Sequence, residues 1–406
     1  MIMDNGLTES TLGEICSLVT DGTHDTPKRV STGYPLIKAK EIVGGKIDFE
    51  SSDQISESDH RKVIARSKPE FGDTLFAHIG ASLGEAAFVN TTQEFSIKNI
   101  ALFKPNPAII DARYLYYCII GPEFQGFAKG TKTGSAQPFL ALHQLRDYRI
   151  RYHLDITFQR RIGGILSAYD ELIENSQRRI QILEEMARSL YREWFVNFRF
   201  PGHEKAKFVP SVLGMIPKGW EVKTLAKIAE VNRLQINARN APDELHYIDI
   251  SSVSPGQIDN ITAYPFADAP GRARRIVRHG DVLWSCVRPN RRSYALVMDP
   301  APNTIASTGF AVLTATQVPF TFLYAATTTD DFVAYLSNNA TGSAYPAVTA
   351  TTFEKADLLI PPTPLLQNFG DVTVPIFEQI HVLQRQIQNL RGTRNLLLPR
   401  LLTNQK

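Results

Sequence analysis

The stretch Thr133-Gly134-Ser135-Ala136-Gln137-Pro138 returns as Thr341-Gly342-Ser343-Ala344-Tyr345-Pro346, and that return decides how the rest of the chain is read. Other echoes keep the same order. Thr11-Leu12-x-x-Ile15 recurs as Thr224-Leu225-x-x-Ile228, and Tyr34-Pro35-Leu36-Ile37 as Tyr247-Ile248-Asp249-Ile250. Gly72-Asp73-Thr74-Leu75-Phe76 becomes Gly280-Asp281-Val282-Leu283-Trp284, and Tyr114-Leu115-Tyr116 becomes Phe322-Leu323-Tyr324. All five pairs lie at offsets between 208 and 213, too regular for accident. A period of that length exceeds any solenoid unit, so the duplicated unit is a whole domain together with the segment C-terminal to it. Residues 7–152 and 211–362 each read as mixed strand and helix, with short alternating apolar runs between Gly-rich turns.

Each copy is followed by a different kind of sequence. Ile162, Leu166, Tyr169, Ile173, Ser176, Ile180, Leu183, Ala187, Leu190 and Trp194 keep 4-3 spacing, the seam of a coiled coil. The second series is Leu366, Phe369, Thr373, Ile376, Ile380, Leu383, Ile387, Leu390, Arg394, Leu397 and Leu401. Glu174 with Arg178 and Glu184 with Arg188 are favourable i,i+4 pairs for an exposed face. Gly163-Gly164 is expected to delay the start of the first helix, Pro375 to kink or restart the second, and Pro399 to fray its end. At ~1.5 Å per residue each helix is ~50–60 Å long. Neither can bury its seam alone, and the simplest partner for each is the other, antiparallel. The expected fold is α+β, with two globular mixed α/β domains separated by two long helices forming an antiparallel coiled coil, pseudo-twofold symmetric. The boundaries are 1–152 and 201–362 for the domains, 153–200 and 363–406 for the helices.

Composition narrows the function classes. The 406 residues are 43% hydrophobic and 21% charged, ordinary for a globular protein. Cys16, Cys118 and Cys286 are odd in number and widely spaced, which suggests neither a disulfide framework nor a zinc site and fits a reducing, cytoplasmic compartment. No run approaches the 18 or so apolar residues of a membrane span. A net charge of +3 says little, but seven arginines fall between Arg272 and Arg292 against the single acid Asp281. A solvated basic face is the plain reading. The other is DNA, since guanidinium groups neutralise phosphates and match guanine O6 and N7.

One motif argues for an enzyme. Gly80-Ala81-Ser82-Leu83-Gly84 matches GxSxG, which in hydrolases sets a nucleophilic serine on a strand-to-helix elbow. Here Glu85 to Asn90 read as a strand, so the motif reads as a hairpin, and the second copy fills the equivalent turn with Val287-Arg288-Pro289-Asn290-Arg291-Arg292 and no serine. The chain has no GxxxxGK[ST], no Asn-Pro-Pro-Tyr-type methyltransferase motif and no HExxH. On the DNA reading, candidate contacts in module one are Lys28, Arg29, Lys38 and Lys40 near its opening, with Lys129 and Lys132 flanking the Gly-Ser loop, where Ser135 and Gln137 suit an adenine edge. In module two they are Arg274, Arg275, Arg288, Asn290, Arg291, Arg292 and Tyr345, the last suited to a thymine methyl. Trp194 and Phe195 read as core residues.

The order of domain, long helix, domain, long helix resembles the specificity (S) subunit of type I restriction–modification enzymes, over essentially the whole chain. Leu12-Gly13-Glu14-Ile15 and Asp21-Gly22-Thr23-His24-Asp25-Thr26-Pro27 are similar to that family's opening segment, and Ile216-Pro217-Lys218-Gly219-Trp220-Glu221-Val222-x-x-Leu225 to the opening of its second module. Thr133-Gly134-Ser135 and Thr341-Gly342-Ser343 resemble its Gly-Ser loop, and Leu359-Ile360-Pro361-Pro362 the strand end before its long helix. Module one departs from the pattern, leaving through Arg151-Tyr152-His153-Leu154 rather than Pro-Pro. The resemblance implies a non-catalytic subunit whose two target recognition domains each read half of a bipartite, asymmetric sequence on double-stranded DNA. It implies helices that set the spacing and dock two methyltransferase subunits, with two restriction/translocase subunits completing the complex in a bacterial or archaeal, nucleoid-associated setting. S-adenosylmethionine, ATP and Mg would sit on those partners and no cofactor on this chain. The alternative from a different class is a coiled-coil scaffold with duplicated protein- or glycan-binding domains.

Overall fold

The structure, a computed structural model, describes residues 6–130, 138–237 and 239–403. It divides into two units, residues 1–175 with 386–406, and residues 176–385.

The repeated motifs become repeated local devices. Thr11 opens the helical turn Leu12–Ile15 with a capping box: its hydroxyl accepts from the Glu14 amide while the Glu14 carboxylate accepts from the Thr11 amide at 2.8 Å. Thr224 precedes the equivalent turn Leu225–Lys227, and Leu12, Ile15, Leu225 and Ile228 are all buried. In each Gly-Asp pair the glycine is left-handed, Gly72 at φ 96° and Gly280 at φ 85°. The aspartate then closes the turn by accepting from the amide three residues back, Glu70 to Asp73 and Arg278 to Asp281, both at 2.7 Å. Both carboxylates are buried, and burial raises their pKa values.

In the first unit Leu7–Thr11 pairs antiparallel with Arg149–His153, joining the two ends of module one. An antiparallel sheet runs in the order Cys16–Asp21, Ala101–Pro105, Thr74–Phe76, Ala86–Phe88. A second, mixed sheet orders Ser96–Ile97, Tyr34–Ile37, Asp53–Ile55, Arg29–Val30. The second unit has the same plan. Glu221–Thr224 pairs with Asp357–Ile360, and the antiparallel sheet runs Ala229–Val231, Phe310–Ala315, Val282–Ser285, Tyr294–Leu296. Its mixed sheet orders Thr262–Pro265, Glu244–Ile248, Thr304–Ser307, Ala273–Ile276. The units diverge beside the parallel pair. In unit one the helix Glu57–Ser67 packs on Ser96–Ile97, with the buried His60 ring bonded to the Ser96 hydroxyl at 2.9 Å. In unit two a strand, Ala273–Ile276, pairs with the equivalent Thr304–Ser307.

The first long helix spans Ile156–Tyr191, starting ahead of the glycines that were expected to delay it. Asp155 receives the Thr157 amide at 2.8 Å, satisfying a first-turn donor. The fully buried Gln159 bonds the His153 and Ile109 carbonyls and the Asp111 amide, so the first turn is fixed to module one. Gly163 stays helical because the helix needs it: a Cβ there would lie 3.1 Å from Arg113 Cβ and 3.2 Å from the Tyr114 amide nitrogen. Close packing outweighs the roughly 1 kcal/mol propensity cost of a helical glycine. Ile162 and Leu166 join module one's core together with Leu398 and Leu402 of the second long helix. Within this unit Asp170 pairs with Arg394, so numbers rise on one helix as they fall on the other, the antiparallel order.

The second long helix spans Thr363–Thr403 without a break, so it neither restarts at Pro375 nor stops at Pro399. Pro375 is exposed, and so is Asp371, whose carbonyl loses its helical donor; water can take that place. Beyond Pro399 the helix holds because Leu398 and Leu402 are buried and the Thr403 hydroxyl donates to the Pro399 carbonyl at 2.7 Å. In the second unit Phe369 meets Tyr191, Trp194 and Phe195, while Phe377 and Ile380 cluster with Ala187, again antiparallel. Phe195 is buried among Trp220, Phe322 and Phe369, as a core residue.

Along the heptads Ile162, Leu166, Ile173, Ile380, Leu383 and Ile387 are buried, whereas Tyr169, Ile180, Leu183, Leu190, Ile376, Leu390 and Leu397 are half-buried. In the second helix Phe377, Leu398 and Leu402 are more buried than their heptad neighbours Ile376, Leu397 and Leu401. A period of 3.6 residues drifts ~20° per heptad against 3.5, which carries the buried stripe one position along.

Candidate nucleic-acid interface

In module two the turn after Val282–Ser285 is held open by two left-handed arginines, Arg288 at φ 51° and Arg292 at φ 57°, which flank the short 3-10 turn Pro289–Arg291. In module one the matching turn after Thr74–Phe76 has left-handed glycines at the same two places, Gly80 at φ 82° and Gly84 at φ 105°. Glycine takes this conformation freely, whereas another L-residue gives up roughly 1–2 kcal/mol. The backbone is one device in both copies, and copy two carries cations at positions that favour glycine.

Each turn is clamped to a second loop in the same way. The Arg288 amide donates to the Pro346 carbonyl at 2.7 Å and the Val348 amide to the Cys286 carbonyl at 2.9 Å. In module one the Gly80 amide donates to Pro138 and the Leu140 amide to His78, both at 2.8 Å. The loop Thr341–Ala347 closes on itself through paired amide–carbonyl bonds of 2.9 Å between its ends. Lys132, Ser135 and Gln137 lie outside the described residues. Ser82 sits in a turn between the antiparallel strands Thr74–Phe76 and Ala86–Phe88, so the GxSxG match is a hairpin and not a nucleophile elbow.

The candidate cations occupy unlike settings. The Arg288 guanidinium lies 4.6 Å from the centre of the Tyr345 ring and donates to the Ala344 carbonyl at 3.2 Å. Tyr345 is 68% exposed, and Asn290 and Arg291 beside it are exposed. Arg292 is turned to Asp330, at 2.5 Å. Arg274 packs 5.6 Å from the centre of the Phe266 ring at a strand irregularity between Ala273 and Arg275. Arg275 is half-buried with its Nε unpartnered, and burial lowers its pKa. The sequence cluster is thus divided among several surroundings. Arg288, Asn290, Arg291 and Tyr345 form the group that the fold brings together.

In module one Arg29 and Lys38 converge on Asp53, Arg29 at 3.1 Å. The Lys38 hydrogen bond first, then both cations and Lys40, hold that carboxyl below its ordinary range. Lys40 pairs with Glu41 at 3.1 Å, and Lys28 and Lys129 are exposed. Sequence reading missed a polar cluster nearby. His24 bonds Asn99 at 2.8 Å and Asp21 at 3.1 Å, Arg66 reaches the same Asp21, and Lys98 reaches Thr26. Gly22 permits it, since a Cβ there would stand 2.2 Å from the Ile97 carbonyl oxygen. Apart from His24 and Asp21, which are three residues apart, these partners are 45 to 75 residues apart in the chain, so no local pattern announces them. Among the described residues no cluster of three or more His, Cys, Asp or Glu is placed to hold a metal, and no helix is long and apolar enough to cross a membrane.

Residues 5–185 match the type I restriction modification DNA specificity domain. A specificity subunit of the type I restriction enzyme MjaIX from Methanocaldococcus jannaschii is 24% identical over 299 residues, 71% of this chain and 68% of that one. The HindI specificity subunit of Haemophilus influenzae is 21% identical over 408 aligned residues, 82% of this chain and 86% of that one. The S subunit of a type I restriction–modification system from M. genitalium superposes with a TM-score of 0.63 at 14% identity, covering 100% of this chain and 99% of that one, a likeness of fold. The first module and part of the helix after it thus match a specificity domain, relatives named as type I specificity subunits align along most of the chain, and the fold is similar to that of an S subunit along all of it.

Proposed function

We propose that this chain is the sequence-specific DNA-binding subunit of a type I restriction–modification complex, with each module reading one half of a bipartite, asymmetric target. The observation that carries the reading is the paired turn. One backbone frame, clamped by the same amide–carbonyl bonds, presents glycines at 80 and 84 and arginines at 288 and 292. Equal frames with unequal side chains are what two readers of unlike half-sites need. Lys28, Arg29, Lys38, Lys40, Lys132, Ser135 and Gln137 serve the first half; Arg274, Arg275, Arg288, Asn290, Arg291, Arg292 and Tyr345 serve the second. Most of these contacts go to phosphate and a few to base edges.

In this reading the long helices set the spacing and dock two methyltransferase subunits, and two restriction/translocase subunits complete a cytoplasmic assembly. The partners carry S-adenosylmethionine, ATP and Mg, and the specificity chain itself contributes recognition and no catalysis. Apolar side chains exposed on the helices, Ile165, Leu172, Ile182 and Met186 on the first and Val372, Val382 and Leu396 on the second, suit such docking. The test is duplex binding against salt. A chain neutralising six to ten phosphates loses roughly 10³- to 10⁵-fold in affinity between about 50 and 200 mM salt. Absence of duplex binding at every salt concentration, with or without a methyltransferase subunit, would sink the proposal.

A further inference from the structure

We infer that Arg288, held on Tyr345, is a preorganised guanine reader, so that module two's half-site contains a guanine whose recognition depends on this one side chain. The inference rests on the DNA-reading function proposed above and adds the chemistry of one base and the residue that selects it.

Three observations single out Arg288 among the arginines of the turn. First, its backbone is left-handed at a place where module one has glycine, so an arginine is kept there against the conformational preference. Second, its guanidinium is already oriented. The Tyr345 ring lies 4.6 Å below it and the Ala344 carbonyl takes one N–H at 3.2 Å. A guanidinium has five donors in a rigid plane, so one bond to Ala344 leaves an edge free for the O6 and N7 acceptors of guanine, the commonest specific arginine contact in the major groove. Third, the support is itself fixed. Tyr345 belongs to the loop closed by the Thr341–Ala347 bonds, and the Arg288 amide is tied to Pro346 of that loop. Ordering a free arginine costs rotamer entropy on binding, and stacking reduces that cost in advance.

The neighbouring arginines fit other tasks. Arg292, equally left-handed, is bound to Asp330 and its charge is already matched. Arg291 is exposed and takes part in no ion pair among the described residues, which suits a phosphate. Module one has Gly80 where Arg288 stands, so its half-site lacks this contact altogether. A guanine read in this manner therefore belongs to one half of the target and to one position in it.

The experiment is selection of bound duplexes from a randomised library by the full chain with a methyltransferase subunit, followed by sequencing. Arg288→Gly is the informative variant, because glycine suits the local backbone and the matching position of module one already has it. Arg288→Lys keeps the charge and loses the two-pronged bond, and Tyr345→Ala removes the platform. The inference predicts that Arg288→Gly and Arg288→Lys each lose discrimination at one guanine of one half-site, by roughly 5- to 150-fold. The other half-site stays as in the wild type, and Tyr345→Ala weakens preference at that same guanine. Uniform loss of affinity over all sequences, restored by lysine, would show a phosphate contact and overturn the inference. An unchanged motif in Arg288→Gly would overturn it too. If the wild-type chain enriches no motif at all, the DNA-reading function itself falls, an outcome distinct from either of these.

Discussion

At the scale of single residues, two adjacent glycines in the first long helix separate packing from propensity. A Cβ at Gly163 would press on Arg113 and Tyr114, whereas nothing stands within 4 Å of one at Gly164. Gly163→Leu is expected to lower stability by about 1–3 kcal/mol through overpacking. Gly164→Ala should raise it by up to about 1 kcal/mol. Denaturant melts of the two variants check the pair, and equal effects would contradict the packing argument. His78 gives a pH test. It is buried, its Nδ1 meets the Leu140 carbonyl at 2.8 Å, and burial holds its pKa below the ordinary histidine value. The unfolded chain then binds the extra proton, so stability is complete above about pH 6.5 and falls as pH drops through it. Thermal melts at about pH 7.5 and pH 5.5 should show the fall, and His78→Gln should reduce it without abolishing it, since a neutral amide removes one titration while burial also lowers the pKa values of His60, His153 and His381. The sequence was informative about Arg288 and Tyr345 as chemistry but silent about their pairing, and it gave no sign of Asp330 against Arg292, because such contacts depend on how loops distant in the chain converge.

At the scale of elements, the heptads announced both long helices, yet the rules applied to their breakers failed. At Gly163 tertiary packing overrides propensity, and at Pro375 an exposed position leaves the unpaired Asp371 carbonyl to water. Pro375 still carries its local cost in an exposed helix interior. Pro375→Ala is therefore expected to stabilise the chain, by up to about 3 kcal/mol, in a denaturant titration. A neutral or destabilising result would mean that the proline is needed by its surroundings. The helices also meet through Asp170, which accepts from both Arg394 and the Tyr117 hydroxyl, the latter at 2.6 Å. Asp170 and Arg394 are 224 residues apart, a pairing that heptads alone do not specify.

At the scale of the molecule, the duplication was the legible feature, since the strand pair that joins each module's ends, the order of the antiparallel sheet and the turn clamps repeat. Hidden from sequence is the place where the copies part, as with the helix Glu57–Ser67 in one and the strand Ala273–Ile276 in the other. If the helices are the ruler, adding one heptad to each, between 175 and 178 and between 386 and 389, preserves the seam and lengthens each by about 10 Å. The spacer of the target should grow by about three base pairs with both half-sites unchanged, as read by duplex selection. An altered half-site would count against the ruler. The connection 201–207 lies beyond Phe195, Phe198 and Phe200, which pack in or against the second unit's core, so an insertion there should leave the spacer alone.

The proposed function requires one chain to hold two unlike readers of one target. Its most direct test is co-expression with an active methyltransferase subunit, followed by genome-wide sequencing for modified adenines. A single methylated motif of two different halves at fixed spacing is expected. A palindromic or contiguous motif, or no modification beside a partner proven active with another specificity chain, would contradict it.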